Sequence, residues 1–251
     1  FVKMCGFGSS VVLVSRVVSV GCMLLGIVAR DYSLSCVCTA GDVSGEGWAA
    51  LLIGAFLAAP GGVSGGGETY VVFGKGSGFT ANVDLGTLDG SDGFLLEGLD
   101  SDDWSGNSVS TAGDVNGDGY ADILIGVPYA DPGGSGSGET YVVFGKSESF
   151  GASVDLDSLD GSDGFMLSGI DASDYSGYSV STAGDVNGDG YADILIGAYY
   201  GDPDGVSQAG ETYVVFGKGD SFGASMDLST LDGTNGFVLK GIDAGDRSGH
   251  S

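Results

Sequence analysis

Apolar residues fall in short runs of five to seven, each closed off by Gly, Asp or Ser. The stretch from Ala121 to Val127 reads ADILIGV, and Thr140 to Phe144 reads TYVVF. Runs of this length, rich in Val, Ile, Tyr and Phe and bounded by turn formers, predict strands of an antiparallel sheet and leave no room for long helices. In one seventy-residue stretch the pattern predicts strands near Phe94 to Leu99, Ser108 to Ala112, Ala121 to Val127 and Thr140 to Phe144, four strands that would make one propeller blade. A loop from Pro128 (PYADPGGSGSGE) joins two of them, and another from Ser149 (SFGASVDLDSLDGSDG) leads onward.

The same text then recurs. GDVNGDGYADILIG occupies Gly113 to Gly126 and, without a change, Gly184 to Gly197, while ETYVVFGK begins at Glu68, Glu139 and Glu211. A fixed step of 71 or 72 residues signals a solenoid or propeller built from one supersecondary unit. Carried backward, the register aligns Phe1, Phe73, Phe144 and Phe216, with Lys3, Lys75, Lys146 and Lys218 two residues on. The frames are a degenerate repeat at 1–72, repeats at 73–144 and 145–216, and a truncated repeat at 217–251. No initiator methionine opens the chain, and RSGHS at its end aligns with WSGNS and YSGYS, so both ends are expected to fall inside a repeat of a longer chain.

The register also reinterprets Val11 to Ala29, whose hydropathy alone suggests a signal-peptide core or a marginal membrane span. Val12, Val17, Val20 and Val28 stand where Asp155, Asp160, Asp163 and Asp171 stand in a later copy. Arg16 likewise replaces Leu159, Cys22 replaces Phe165, and Cys36 and Cys38 replace Ser179 and Ser181. Each swap can arise from one change at the middle base of a codon. The expectation is a decayed or misread repeat without membrane insertion. All four cysteines, with Cys5, lie in the first 38 residues of this altered copy, so they do not form a disulfide framework.

Composition narrows the function. Fifty glycines with four prolines and no three-residue period exclude collagen and fit many tight turns. Acidic residues outnumber basic ones 34 to 8, for a net charge of −26, which repels nucleic acid and anionic lipid and leaves cations as natural partners.

The placement of the aspartates is more specific. DVNGDGYAD sets side-chain oxygens at positions one, three, five and nine, with glycines at four and six. Asp114, Asn116, Asp118 and Asp122, with the carbonyl of Tyr120, form an oxygen donor set for a hard cation, and Asp185, Asn187, Asp189, Tyr191 and Asp193 repeat it. Calcium suits such a set better than magnesium, which keeps its water, or zinc, which wants Cys or His. An EF-hand is excluded, because position twelve is Ile125 or Ile196 instead of Glu and the flanks are strand sequence. In the first copy DVSGEGWAA keeps Asp42 but has Ser44, Glu46 and Ala50, so that site is expected to be weak or lost.

This loop, followed by DILIGVP, with Phe144-Gly145 further on and Gly197-Ala198 in the next copy, resembles the FG-GAP repeat of integrin alpha chains. The resemblance implies an all-β fold, a seven-bladed propeller when complete and here an open part of one. It also implies calcium in hairpin loops on one face, and an extracellular or cell-surface role in adhesion or ligand binding. The repeats are longer than the roughly sixty residues usual in integrins and are nearly identical to one another. In this they resemble large bacterial secreted or surface proteins more. At a weak extracellular affinity each intact site would add about 1 to 3 kcal/mol of stability in millimolar calcium.

Catalysis is not expected. The one histidine, His250, shares its column with Asn107 and Tyr178, and the aspartates are already assigned as ligands and turn formers. GGSGSG from Gly133 lacks the strand-to-helix setting of a phosphate loop. Two partner classes stay open, a protein on another surface or a glycan stacked on aromatic pairs such as Tyr199 and Tyr200. The second would make the chain a carbohydrate-binding or enzyme-accessory propeller. Neighbouring copies have Pro128 and Tyr129, or Phe56 and Leu57, at that pair, which favours the protein.

Overall fold

The computed structural model describes residues 36–251 and, before them, the backbone of Met23–Leu25. The apolar Val11 to Ala29 segment, its substituted valines, and Cys5 and Cys22 therefore lie outside the residues described in full. Among the described residues no helix is long and apolar enough to cross a membrane.

The described residues are all-β, an open arc of three propeller blades whose helical segments are three-residue 3-10 turns. A short strand β1 (Met23–Leu25) precedes the first blade, which contains β2 (Cys36–Thr39), β3 (Leu51–Ala55), β4 (Glu68–Val72) and β6 (Gly93–Glu97), with β5 (Asn82–Asp84), which pairs with β1, in the connection before β6. The second blade contains β7 (Ser108–Gly113), β8 (Asp122–Val127), β9 (Glu139–Val143) and β11 (Gly164–Ser168), with β10 (Ser153–Asp155) in the connection before β11. The third contains β12 (Ser179–Gly184), β13 (Asp193–Ala198), β14 (Glu211–Val215) and β16 (Gly236–Lys240), with β15 (Ser225–Asp227) in the connection before β16. In each blade four strands form an antiparallel meander, as in β7-β8-β9-β11, where Val127 faces Glu139 and Val143 faces Gly164.

The grouping of strands differs from the sequence expectation in one respect. The strand at Phe94 closes the sheet before it, pairing with β4 from Val72↔Gly93 to Glu68↔Glu97, and does not open the sheet of β7 to β9. The sheet of the second blade thus begins at Ser108, inside the 73–144 frame, because a repeat period fixes length but leaves phase to the hydrogen-bond ladder. The loop from Ser149 is also more than a linker. It carries β10, which pairs in parallel with β6 of the preceding blade, and β15 pairs with β11 in the same way. Each blade thereby straps itself to its predecessor. Phe150, at the head of the strap, stacks on Phe94 with centroids 4.2 Å apart, and Phe222 stacks on Phe165 at 4.3 Å.

The core lies between blades. Along β8, Ile123 and Ile125 pack into the interface with the first blade and Leu124 into the interface with the third; along β9, Val143 and Val142 divide likewise. Successive strand residues point to opposite faces and both faces are covered, which is why these strands read as continuous apolar runs. The glycine that ends DILIG is fixed by this packing. A Cβ on Gly126 would come within 1.9 Å of the Gly177 carbonyl oxygen of the next blade. The far face of the third blade has no such cover: Val186 is 54% exposed, against 0% for its counterpart Val115.

Candidate functional site

Each aspartate loop connects the first two strands of its blade, β7 to β8 and β12 to β13, and a network of backbone amides shapes it. The Gly117 and Asp118 amides donate to Asp114 Oδ1 at 2.7 and 3.1 Å, and the Gly119 amide donates to Oδ2 at 2.9 Å. Asp118 Oδ1 accepts from the Tyr120 amide at 2.9 Å and Oδ2 from Asn116 Nδ2 at 2.9 Å. Such short-range acceptance by Asp and Asn makes a tight turn without a ladder. In the second loop Asp185 accepts from the amides of Gly188, Asp189 and Gly190, and Asn187 Nδ2 donates to Asp189 Oδ2.

Position nine differs from the others. Asp122 is fully buried, and its two oxygens accept from the amides of Val115 at 2.8 Å and Gly145 at 2.9 Å; Asp193 does the same with Val186 and Gly217. Gly145 and Gly217 follow the third strand, so this carboxylate ties the loop to the end of its own sheet. Burial pushes the Asp122 carboxyl up to about 7; the two amides oppose the shift, and the negative charges of Asp118 and Asp114 add to it. The three carboxylates thus repel one another, and the ion pairs found among the described residues, Lys75–Asp92 and Lys240–Asp204, both lie elsewhere.

The loops also join neighbouring blades. Ala121 donates its amide to the Asp42 carbonyl and Lys146 to the Val43 carbonyl, each at 2.9 Å, and one repeat on Ala192 and Lys218 donate to Asp114 and Val115 at the same distance. The ring of Tyr191 covers Gly117, whose φ is +77°, so closely that a Cβ there would lie 2.4 Å from Tyr191 Cε1. The sequence pattern places Tyr120 and Tyr191 in the loops by their carbonyls; their rings have this second use.

In the first copy Asp42 still accepts from the amides of Glu46 (3.1 Å) and Gly47 (2.7 Å). Ala50, however, has no oxygen to offer the amides of Val43 and Gly74, which correspond to those held by Asp122. Ser44 and Glu46 complete a donor set with one fewer carboxylate.

As for a metal, the donor chemistry of the two intact loops fits a hard cation: carboxylate, amide and carbonyl oxygens, with no sulfur or imidazole. Among the described residues no three His, Cys, Asp or Glu side chains gather by themselves into a metal cage. An ion here would therefore draw on Asn116 or Asn187 and the Tyr120 or Tyr191 carbonyl as well as on the carboxylates.

Two features on the opposite ends of the strands are missed by motif reasoning. The first is a row of aromatic rings crossing the blades: Phe56–Trp104 (5.1 Å between centroids), Trp104–Tyr129 (4.3 Å), Tyr129–Tyr175 (5.0 Å), Tyr175–Tyr199 (6.0 Å) and Tyr199–Tyr178 (4.1 Å). Trp104 and Tyr175 hold positive φ values of 61° and 55°, a costly conformation for bulky residues. The column comparison of Tyr199 with Pro128 hides the row, because the row draws on several columns, Trp104 sharing one with Tyr175 while Tyr129 and Tyr178 come from others. The second is an acidic cluster around Asp103, and around Asp174 one repeat later; the aspartate column at Asp103, Asp174 and Asp246 was the available signal.

Comparison with known proteins agrees with the repeat text. The FG-GAP repeat family matches residues 105–143 and 176–215, each span running from just before the first strand of a blade through its third. The chain is 33% identical over 132 residues to integrin alpha-PS2 of Drosophila melanogaster, which is 50% of this chain and 8% of that protein. It is 34% identical over 109 residues to integrin alpha-IIb of Mus musculus, 42% of this chain and 9% of that one. Phosphatidylinositol-glycan-specific phospholipase D of Bos taurus is 34% identical over 109 residues, 43% of this chain and 13% of the enzyme. The chain therefore spans about a tenth of the length of these relatives. It carries FG-GAP repeats, and over about half its length it is similar to integrin alpha chains.

Proposed function

We propose that this chain is a calcium-binding segment of an extracellular or cell-surface β-propeller that serves adhesion or protein-ligand binding and has no catalytic role of its own. The observation that carries the reading is the buried Asp122, held beside Asp114 and Asp118 with no cationic side chain among the described residues paired to any of them. Close carboxylates without compensation repel, and a divalent ion removes the repulsion while leaving every amide contact in place. Because the Asp114 loop also accepts hydrogen bonds from the third blade, an ion that stiffens that loop stiffens the blade junction.

The likeness to integrin alpha chains supports the adhesion role, and the aromatic row gives the glycan reading its one specific support. A bovine phospholipase D among the relatives is consistent with such repeats standing beside an enzyme in some proteins. Calcium titration by calorimetry tests the core of the proposal. The expected result is two sites per chain, one lost in Asp114→Asn and the other in Asp185→Asn. Absence of any calcium heat, with the chain folded by circular dichroism, would overturn it. Binding to cell surfaces set against binding to a glycan array separates the two partner classes.

A further inference from the structure

Five tyrosine rings meet at the end of the blades away from the aspartate loops. Tyr129 lies on the β8–β9 loop, Tyr175 and Tyr178 on the β11–β12 connection, and Tyr199 and Tyr200 on the β13–β14 loop. The rings of Tyr178 and Tyr199 have centroids 4.1 Å apart, those of Tyr199 and Tyr200 4.5 Å, and those of Tyr129 and Tyr175 5.0 Å. Backbone hydrogen bonds fix the segments: the Tyr175 amide donates to the Gly136 carbonyl of the second-blade loop at 3.0 Å, and the Tyr178 amide to the Tyr175 carbonyl at 3.1 Å.

All five rings are half-buried, so part of each stays in contact with solvent. The Tyr200 hydroxyl accepts from Arg247 Nη2 at 3.1 Å, whereas no group among the described residues hydrogen-bonds the hydroxyls of Tyr129, Tyr175, Tyr178 or Tyr199. Burial, and then the neighbouring phenols, push the Tyr199 hydroxyl up to about 12, so the ring is neutral at neutral pH and loses an electron together with its proton. The other tyrosines of these two blades stand apart. Tyr120 and Tyr191, and also Tyr141 and Tyr213, which donate to Glu139 and Glu211, have no aromatic ring against them among the described residues.

We infer that this cluster is a site of oxidative tyrosine cross-linking, in which a high-potential one-electron oxidant joins Tyr178 to Tyr199 and Tyr129 to Tyr175. Two equivalents of oxidant are reduced for each link. Each takes one electron from a phenol, and the two hydroxyl protons pass to water. The phenoxyl radicals form a bond between ring carbons ortho to the oxygens, and the hydrogens those carbons carried move to the oxygens, leaving a dityrosine two hydrogens lighter than the separate pair. Rings already in contact couple at an effective concentration that a second copy cannot match, and a net charge of −26 keeps copies apart. Tyr178 directly precedes β12 and Tyr199 directly follows β13, so the first link fastens the end of that strand pair. The second ties the β8–β9 loop to the connection between the second and third blades. In the second blade the counterparts of Tyr178 and Tyr199 are Asn107 and Pro128, and at the junction before it Leu57 and Trp104 replace Tyr129 and Tyr175, so neither phenol pair recurs.

Oxidation of the whole chain, dilute and in saturating calcium, by photogenerated tris(bipyridine)ruthenium(III) tests this. The monomer should lose two hydrogens per link by intact mass and gain dityrosine fluorescence. After cleavage at acidic residues, the fragment holding Tyr175 and Tyr178 should be joined to those holding Tyr199 and Tyr129. Tyr178→Phe, which keeps the ring, should reduce the link to Tyr199 at least about tenfold and leave the link to Tyr129, and Tyr129→Phe should do the converse. The cross-linked monomer should melt about 5 °C or more above the untreated chain in the same calcium. Dityrosine found chiefly in covalent dimers, links mapped to Tyr120, Tyr141, Tyr191 or Tyr213, or a folded monomer that emerges with no hydrogens lost would each overturn the inference, and unaltered melting would overturn the fastening role. Because the rings lie away from the aspartate loops and calcium is held saturating, failure here leaves the loop reading standing.

Discussion

Gly117 and Gly188 occupy the same position of two loops with the same nine residues, with φ of +77° and +79°, yet their surroundings differ. The ring of Tyr191 from the following blade covers Gly117, whereas nothing lies within 4 Å of a Cβ built on Gly188. Substituting alanine at either position costs about 1 to 2 kcal/mol for a left-handed backbone, and changes the unfolded chain equally in both. Only at Gly117 must the new methyl, 2.4 Å from Tyr191 Cε1, force a ring off its rotamer or the loops apart, which adds about 1 to 3 kcal/mol. For a chain of this size the extra cost corresponds to a melting temperature roughly 2 to 12 °C lower for Gly117→Ala than for Gly188→Ala. Thermal melts in excess chelator measure the difference free of any metal effect. A Tyr191→Ala background should bring the two substitutions to within about 0.5 kcal/mol of each other. Equal melting of Gly117→Ala and Gly188→Ala in the unaltered background would refute the claim that the loops are locked blade to blade.

Three further outcomes follow from the same geometry. Chelation should lower the melting temperature, by an amount equivalent to about 1 to 3 kcal/mol per intact loop relative to millimolar calcium, and Asp114→Asn should remove about half of the response. Replacing Ser44, Glu46 and Ala50 by Asn, Asp and Asp should restore acceptors for the Val43 and Gly74 amides and add a third calcium per chain, counted by calorimetry. In chelator, stability should fall as the pH rises from about 4 through 6 to 7. Asp103 (about 6) and Asp174 (about 7) are both raised by burial and by neighbouring carboxylates, so the folded chain keeps protons that an unfolded chain has lost; Asp122 (about 7) acts in the same direction. Melts between pH 4 and 8 test the sign, and Asp174→Asn should flatten the upper part of the curve.

The all-β class and the repeat step were legible in the chain because both are local. Strand runs are set by residues next to one another, and GDVNGDGYADILIG states its own period. The turn of the aspartate loop was legible for the same reason, since nine consecutive residues hold the acceptors that bend it. What the sequence could not decide is which strand pairs with which: Phe94 belongs with Val71 of the sheet before it, and β10 crosses to β6 of another blade. Those partners are set by register between segments far apart in the chain, and a period is silent about phase. The same holds for the aromatic row, which draws on several repeat columns and forms because consecutive blades stack. The sequence thus determined the unit and the hydrogen-bonded turn of its loop, and the packing of one unit on the next decided what else those residues can do.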